Sequence, residues 1–233
     1  FTDVADLNSW NISDNADYFF YCANETVHGL EIHDPIETSS PVICDMSSTI
    51  ASRPIDVNKY DLIFAGAQKN LGIAGVTIVI VKNKLLSGVN TELLPMFDYS
   101  AHANEASMLN TSPVFSWYVS GLVFDWIHEQ GGVEEMARIN KLKSDLLYDF
   151  IDQSEFYNNP VSKPYRSWMN IPFTLSKDGL DDKFLSSAEE LGLLNLKGHR
   201  TVGGMRASVY NAMPIEGIKK LIAFMDDFAK LHE

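Results

Sequence analysis

The sequence has few cysteines, no long apolar segment and little positive charge, and each feature excludes a class of protein. Its two cysteines, Cys22 and Cys44, each lie in or beside an apolar run. We interpret them as reduced core thiols of a cytoplasmic protein rather than as a disulfide framework. No apolar run approaches the ~20 residues that span a bilayer. The net charge of −13 argues against a nucleic acid or an anionic membrane as partner, because either would favour a basic face.

The composition is that of an ordinary globular protein. A chain of 233 residues, 45% hydrophobic and 21% charged, can bury a sizeable core. His28 and His33 are spaced too loosely for a helical metal pair, and no acidic or cysteine residues cluster with them. We therefore predict no metal site.

One lysine lies on a glycine-bounded turn between two predicted strands. The apolar, β-prone runs 60–65 and 76–81 flank this turn, which carries Lys69. Burial disfavours the charged form of an amine, and a neutral lysine amine can form a Schiff base with an aldehyde. We predict that Lys69 is a nucleophile, although a surface lysine is the simpler interpretation of this stretch by itself.

A carboxylate follows an earlier predicted strand. The apolar run that begins at residue 41 ends on Asp45, where a strand should reach its carboxyl end. The connection from Asp45 to Lys69 is long enough for a crossover, so the two strands could be parallel neighbours. Ligands of open α/β sheets bind at this edge, and we predict that both side chains face one crevice.

Five separated motifs extend this pattern along the chain. They are residues 22–26 (CANET), 44–48 (CDMSS), 66–70 (GAQKN), 110–113 (NTSP) and 198–208 (GHRTVGGMRAS). In this order, from about residue 16 to the C-terminus, they closely resemble the phosphoserine aminotransferase family, within the class V aminotransferases. The resemblance implies a homodimer with shared active sites, dependent on pyridoxal phosphate. Its reaction would move an amino group between glutamate and 3-phosphohydroxypyruvate, giving 3-phosphoserine and 2-oxoglutarate in serine biosynthesis.

The fold that the resemblance implies is α/β, of the fold-type I pyridoxal-phosphate-dependent transferases. We assign residues 1–154 to the C-terminal part of a large domain, with a mixed, mainly parallel sheet and a linking helix. Residues 155–233 are assigned to a small α+β domain. Helices are predicted at 114–130, with Ser112 as cap, and from 133 to about 154. The second helix carries an apolar stripe that we expect to face the core: Met136, Ile139, Leu142, Leu146 and Phe150.

The resemblance also assigns the cofactor contacts. Lys69 would hold the cofactor and move the proton, and Asp45 would keep the pyridine nitrogen protonated. Further cofactor contacts would come from Thr26, Gln68, Asn110 and Thr111. Thr26 would donate to the ring oxygen, whereas Asn110 and Thr111 would contact the phosphate of the partner subunit's cofactor.

A basic segment stands out in this acidic chain. Lys197, His199, Arg200 and Arg206 lie close together in sequence, in a glycine-rich stretch that allows close approach of a ligand. A solvated turn is the simpler interpretation of these residues by themselves. The resemblance assigns His199 and Arg200 to the substrate's phosphate or distal carboxylate across the dimer, and Arg206 to the carboxylate beside the reacting carbon.

Two other interpretations remain open. The first is another fold-type I activity, such as alanine–glyoxylate aminotransfer or cysteine desulfuration, although a desulfurase needs a cysteine on a mobile loop. The second is a non-catalytic fragment that only folds or dimerises. The chain begins at Phe1 without methionine. The resemblance implies a preceding segment with the first strands, a ring-stacking aromatic residue and part of the phosphate cradle.

Overall fold

The structure, a computed structural model, describes residues 2–6, 9–87 and 93–232. In these residues the strands are β1 Phe19–Cys22, β2 Asn24–Glu25, β3 Leu30–Glu31, β4 Val42–Asp45, β5 Leu62–Gly66, β6 Thr77–Val81, β7 Tyr157–Asn158, β8 Asn170–Leu175 and β9 Met205–Ser208. The helices are α1 Tyr99–Asn104, α2 Val114–Glu129, α3 Gly132–Gln153, α4 Asp181–Glu190 and α5 Ile215–His232.

A four-stranded sheet organises the first half of the chain. Its order is β1-β4-β5-β6, with β1, β4 and β5 parallel and β6 antiparallel to β5. Cys22 pairs with Asp45, and Asp45 with Phe64, so the three parallel strands end at one edge. The prediction that the strand of Asp45 and the strand before Lys69 are parallel neighbours is confirmed.

The C-terminal residues form a smaller, antiparallel sheet covered by helices. Its order is β7-β8-β9, and α4 and α5 contribute Phe184, Phe224 and Phe228 to its core. This part of the chain therefore combines an antiparallel sheet with helices.

Two hydrophobic clusters share helix α3. This helix contributes Met136 to the cluster beneath the large sheet, and Leu147 and Ile151 to the cluster of the small sheet. The division between domains at residues 154 and 155 stays a prediction, because α3 belongs to both clusters.

The apolar stripe expected on α3 is only partly correct. Met136 is buried, but Leu142 is 41% exposed. The buried face instead includes three polar residues, Asn140, Lys143 and Ser144. The hydrophobic spacing therefore predicts a core face that is shifted by about one residue from the observed buried face. The shift arises because these polar side chains are buried and form hydrogen bonds there.

Two smaller expectations are corrected by the structure. Ser112 is not the cap of α2, since Pro113 occupies the cap position and no side chain caps the helix. Cys44 is buried, as expected, but Cys22 is exposed. Both thiols are free. Alternation along β1 turns Cys22 away from the core that holds its neighbour Tyr21.

The part of the chain that the structure describes has neither a membrane-spanning helix nor a cluster of metal ligands. No helix among residues 2–6, 9–87 and 93–232 has the length and apolar character to cross a bilayer. Within the same residues, no three His, Cys, Asp or Glu side chains are grouped as metal ligands.

The start of β5 is fastened by one buried carboxylate. Asp61 Oδ2 accepts from the Val42 N–H at 2.9 Å, and Asp61 Oδ1 lies 2.7 Å from Lys84 Nζ and 3.2 Å from Lys82 Nζ. Burial disfavours the ionised carboxylate. The bonds from Lys84, Val42 and Lys82 outweigh burial and lower the pKa of Asp61 to about 2. This carboxylate therefore joins β4, β5 and the residues after β6.

We expect Asp61→Asn to destabilise the chain by about 1–2 kcal/mol at pH 7. Because the folded pKa is depressed, the stabilisation is present above about pH 4 and is lost as pH falls towards 2. The measurement is urea unfolding of parent and variant between pH 7 and pH 3. Their difference should shrink on acidification, and the exposed Asp178→Asn serves as the control. A difference that is constant with pH would contradict the assignment.

Candidate active site

Lys69 lies in a tight loop between β5 and β6. The Ala67 N–H donates to the Val76 carbonyl at 2.9 Å, and the Leu71 N–H donates to the Ala67 carbonyl at 3.0 Å. Gly72 has φ +146°, and a Cβ there would lie 2.8 Å from Ser120 Oγ of α2. Glycine is therefore required where the loop packs against α2, and this packing fixes the backbone that carries Lys69.

Asp45 is held at the edge of the sheet beside this loop. The Ser47 N–H donates to Asp45 Oδ1 at 2.8 Å, and Ser47 Oγ accepts from the Gly66 N–H at 3.1 Å. Ser47 thus fastens the end of β4 to the end of β5. The carboxylate is oriented by the backbone rather than by a flexible partner.

The Lys69 amine is half-buried among charged groups. Burial lowers the pKa of Lys69, the Asp45 carboxylate opposes this effect, and the Arg206 guanidinium adds to the lowering. The neutral amine is therefore easier to form than on an ordinary surface lysine. An amine with a lowered pKa near a carboxylate and a guanidinium is therefore present at this edge of the large sheet.

Arg206 joins the small sheet to this crevice. It lies in β9, and its Nη1 donates to the Thr26 carbonyl at 3.1 Å. The turn of Thr26 is further fixed by Asn24, whose Nδ2 donates to Asn170 Oδ1 of β8 at 2.9 Å. Thr26, Asp45, Lys69 and Arg206 are therefore brought together, as the sequence predicts.

Gln68 covers the end of β5. Its side chain folds back over Gly66, where a Cβ would lie 2.4 Å from Gln68 Oε1. Gln68 is exposed, next to Lys69 at the same edge of the sheet. Its position agrees with a ligand contact, and that role stays a prediction.

Asn110 and Thr111 lie apart from the crevice. Both are exposed in the segment before α2, and Asn110 Nδ2 donates to the Thr111 carbonyl at 3.3 Å. Among the residues that the structure describes, neither makes a hydrogen bond or ion pair with Lys69, Asp45 or Arg206. Their contact with a cofactor stays a prediction.

His199 and Arg200 also lie outside the crevice. They occupy an exposed loop closed by the Gly198 N–H, which donates to the Gly204 carbonyl at 2.8 Å. His199 Nδ1 pairs with Thr201 Oγ1 at 2.8 Å. In the described part of the chain, no hydrogen bond or ion pair joins these two residues to Lys69. Their role towards a substrate stays a prediction.

Two residues near Lys69 were missed by the sequence analysis. Cys22 and Glu25 both act on the Lys69 amine, and both raise its pKa. Glu25 also holds the Thr26 turn, because it accepts from the Val27 N–H at 3.1 Å and the His28 N–H at 2.7 Å. Cys22 could have been identified from the pairing of its strand end with Asp45 in the neighbouring strand.

The sequence of the chain matches known proteins over nearly its whole length. The sequence model of the family described as Aminotransferase class-V matches residues 2–221. The chain belongs to this family. Among curated class-V relatives, a phosphoserine aminotransferase from Acinetobacter baumannii (strain ACICU) is 52% identical over 227 residues, which are 97% of this chain. The chain spans only 63% of that relative's length.

Solved structures agree with this class-V membership. A phosphoserine aminotransferase from Bacillus circulans subsp. alkalophilus has a TM-score of 0.94 and 43% identity, covering 98% of this chain and 64% of its own. A pyridoxal-phosphate-bound phosphoserine aminotransferase from Trichomonas vaginalis has a TM-score of 0.90 and 38% identity, covering 97% and 64%. The expected fold-type I α/β architecture is confirmed.

The two neighbours of Lys69 should shift its pKa in opposite directions. We expect Asp45→Asn to lower the pKa of Lys69 further, because a stabilising negative charge is lost, and Arg206→Leu to raise it. The measurement is the pH dependence of amine labelling at Lys69, followed by mass spectrometry in cofactor-free protein. Labelling of the exposed Lys219 is the internal control. Shifts of the same sign in both variants would remove these two residues from the surroundings of Lys69.

Proposed function

We propose that this chain carries the catalytic crevice of a pyridoxal-phosphate-dependent phosphoserine aminotransferase. The observation that carries the proposal is the half-buried Lys69 amine in the loop after β5, close enough to the carboxylate of Asp45 and the guanidinium of Arg206 for both to act on its pKa. The 52% identity to a phosphoserine aminotransferase supports the same reaction. Glutamate and 3-phosphohydroxypyruvate are the proposed substrates.

The residues present fit pyridoxal phosphate. A neutral amine suits attachment of an aldehyde, and the backbone-held Asp45 carboxylate suits a protonated pyridine nitrogen. When bound, the cofactor supplies an electron sink for the bonds at the substrate's α-carbon. Thr26 and Gln68 lie beside the pair and are proposed as further contacts.

Each charged residue has a distinct proposed task. Lys69 would remove the proton from the substrate's α-carbon and return it later, which requires an amine with a lowered pKa. Asp45 would pair with the protonated pyridine nitrogen and orient the ring. Arg206 binds the carboxylate beside the α-carbon through its planar fork.

The residues outside the crevice support a homodimer with shared active sites. Among the described residues, His199 and Arg200 make no hydrogen bond or ion pair with Lys69 of their own chain, and both are exposed, which suits groups that reach the active site of a second copy. Helix α2 presents a row of exposed apolar side chains, with Phe115 70% and Tyr118 63% exposed. A contiguous apolar surface of this kind is typical of an interface. Asn110 and Thr111, just before α2, are proposed to contact the partner subunit's cofactor phosphate.

The alternative as a cysteine desulfurase has little support from the described residues. Cys22 is exposed near Lys69, but it is fixed in β1 by its pairing with Asp45 rather than carried on a mobile loop. Cys44 is buried.

Lys69→Ala should abolish transamination and the visible absorption band of the lysine-bound cofactor that borohydride removes. Loss of a general acid–base group costs about 10²- to 10⁴-fold in rate, and loss of the attachment site adds to this. The assay uses the full-length gene product, because the matched relatives are longer than this chain. Lys219→Ala, an exposed change, is the control. A Lys69 variant that transaminates at the parent rate would exclude Lys69 as nucleophile. A parent protein without the band would favour a non-catalytic chain.

Arg206 and Arg200 should affect different parts of the substrate. We expect Arg206→Leu to raise KM for glutamate and phosphoserine alike by about one to two decades, since a lost charged hydrogen bond costs about 1.5–3 kcal/mol. Arg200→Leu should weaken phosphoserine more than serine, because only phosphoserine offers it a phosphate. Steady-state kinetics with the three amino donors measures both effects. Equal losses for phosphoserine and serine in the Arg200 variant would contradict the phosphate assignment.

Mixed dimers show whether Arg200 acts on the partner's site. Lys69→Ala and Arg200→Leu subunits are each inactive or weak towards phosphoserine, but a mixed dimer would contain one site with both native residues. Co-refolding the two variants should therefore restore activity. No gain above the separate variants would place Arg200 in its own chain's site.

A further inference from the structure

A buried turn after β4 is held by three asparagine side chains. Each side-chain amide donates to one of three successive backbone carbonyls in this turn: Asn70 to Ile50 at 3.0 Å, Asn211 to Ala51 at 2.9 Å and Asn140 to Ser52 at 2.9 Å. All three asparagines are buried, and Asn140 is fully inaccessible. The three donors come from distant parts of the chain.

The three asparagines also bind one another. The Asn211 N–H donates to Asn70 Oδ1 at 3.1 Å, and Asn140 Nδ2 donates to Asn211 Oδ1 at 2.8 Å. Asn70 follows Lys69 in the loop, Asn140 lies in α3, and Asn211 lies after β9. A continuous path of hydrogen bonds therefore runs from α3, through Asn211, to the residue next to Lys69. We call Asn70, Asn140 and Asn211 the asparagine cluster.

Lys143 fixes the same segment one turn further along α3. Its buried ammonium donates to three backbone carbonyls: Val209 at 3.2 Å, Tyr210 at 2.9 Å and Met213 at 3.0 Å. These acceptors lie on both sides of Asn211. Helix α3 thus holds this segment through two side chains, which leaves Asn211 little freedom to move.

The central residue of the turn is strained. Ala51 has φ +55°, a left-handed conformation that non-glycine residues rarely adopt. Such a conformation persists only where surrounding contacts determine it, and it is found often near functional sites. Here the Ala51 carbonyl is bound by Asn211 and the carbonyls on both sides are bound by the other two asparagines.

The cluster joins the three backbone segments that carry the charges of the crevice. Asn70 is adjacent to Lys69, the bound turn begins a few residues after Asp45, and Asn211 follows the strand of Arg206. No member of the cluster makes a hydrogen bond or ion pair with those three charged side chains among the described residues. Its influence on them must act through the backbone.

We propose that the asparagine cluster is a positioning device that sets the Lys69 amine relative to Asp45 and Arg206. Asn70, Asn140 and Asn211 are positioning residues, not catalytic ones. This inference rests on the proposed function for its catalytic consequence. Its structural consequence, the environment of the Lys69 amine, does not depend on that function.

Asn140→Ala is the sharpest test, because Asn140 is the member that lies in α3, outside the loop of Lys69. It removes two hydrogen bonds that hold the turn and Asn211. We expect the pKa of Lys69 to rise towards its ordinary value, because a loosened loop admits water to the amine. In the holoenzyme, kcat should fall about 10- to 100-fold with a smaller change in KM, since misplacement by about 1 Å has such effects.

Tyr148→Phe is the matched control on the same helix. Tyr148 is buried and its hydroxyl donates to the Ser167 carbonyl at 3.0 Å, a contact outside the cluster. This variant also loses a buried hydrogen bond but should leave the labelling profile of Lys69 and kcat unchanged. Unfolding midpoints of both variants show whether their stability losses are comparable.

Each outcome decides for or against the inference. A folded Asn140→Ala protein with the parent's Lys69 labelling profile and kcat would overturn it and leave the cluster a purely structural contact. If Asn140→Ala does not fold, Asn211→Ser is the second variant, since it keeps the backbone bond to Asn70 and removes only side-chain bonds. For Asn211→Ser, a raised pKa of Lys69 and a lower kcat would support the inference, and parent values of both would overturn it. Labelling is measured without cofactor, so a parent that lacks transaminase activity would contradict the proposed function and leave this comparison readable.

Discussion

Parallel pairing of β1, β4 and β5 is the constraint on which the crevice depends. Because parallel strands end at one edge, their register brings Cys22 and Asp45 beside the loop that begins after β5. The hydrogen bond from Gly66 to Ser47 then holds the two strand ends together. Without this alignment, the Lys69 amine would have neither its carboxylate neighbour nor the partial burial that lowers its pKa.

The small sheet contributes further residues to the crevice at the edge of the large sheet. Arg206 enters from β9, and Asn170 of β8 binds Asn24 just before the Thr26 turn. The bond between Asn24 and Asn170 is buried, and the bond between Arg206 and Thr26 is partly buried. Separation of the two sheets would leave the buried amides without their partners. These directional bonds therefore help to fix the relative position of the two sheets.

The strands and the central pair of site residues could be predicted because their signals are local. Apolar β-prone runs give β4, β5 and β6, and their order along the chain places Asp45 near Lys69. The buried face of α3 could not be predicted, because Asn140 and Lys143 are buried where they form hydrogen bonds with residues about 70 positions away in sequence. Ser112 was wrongly chosen as a cap because serine is the stronger cap by preference, whereas Pro113 directly precedes the first residue of the helix. Among the described residues, Asn110 and His199 make no hydrogen bond with Lys69. This also depends on the tertiary structure, which local sequence patterns do not show.

The sharing of α3 between two cores has a consequence for how the molecule unfolds. One end of this helix packs Met136 beneath the large sheet, and the other packs Leu147 and Ile151 against the small one. Unfolding of either core removes the packing contacts of one half of α3. An isolated helix in water has little stability of its own. Loss of one half of the molecule thus removes support from the other. Thermal denaturation of the two halves is therefore coupled through this helix as well as through the polar contacts between them, and partly unfolded forms that keep only one sheet are disfavoured.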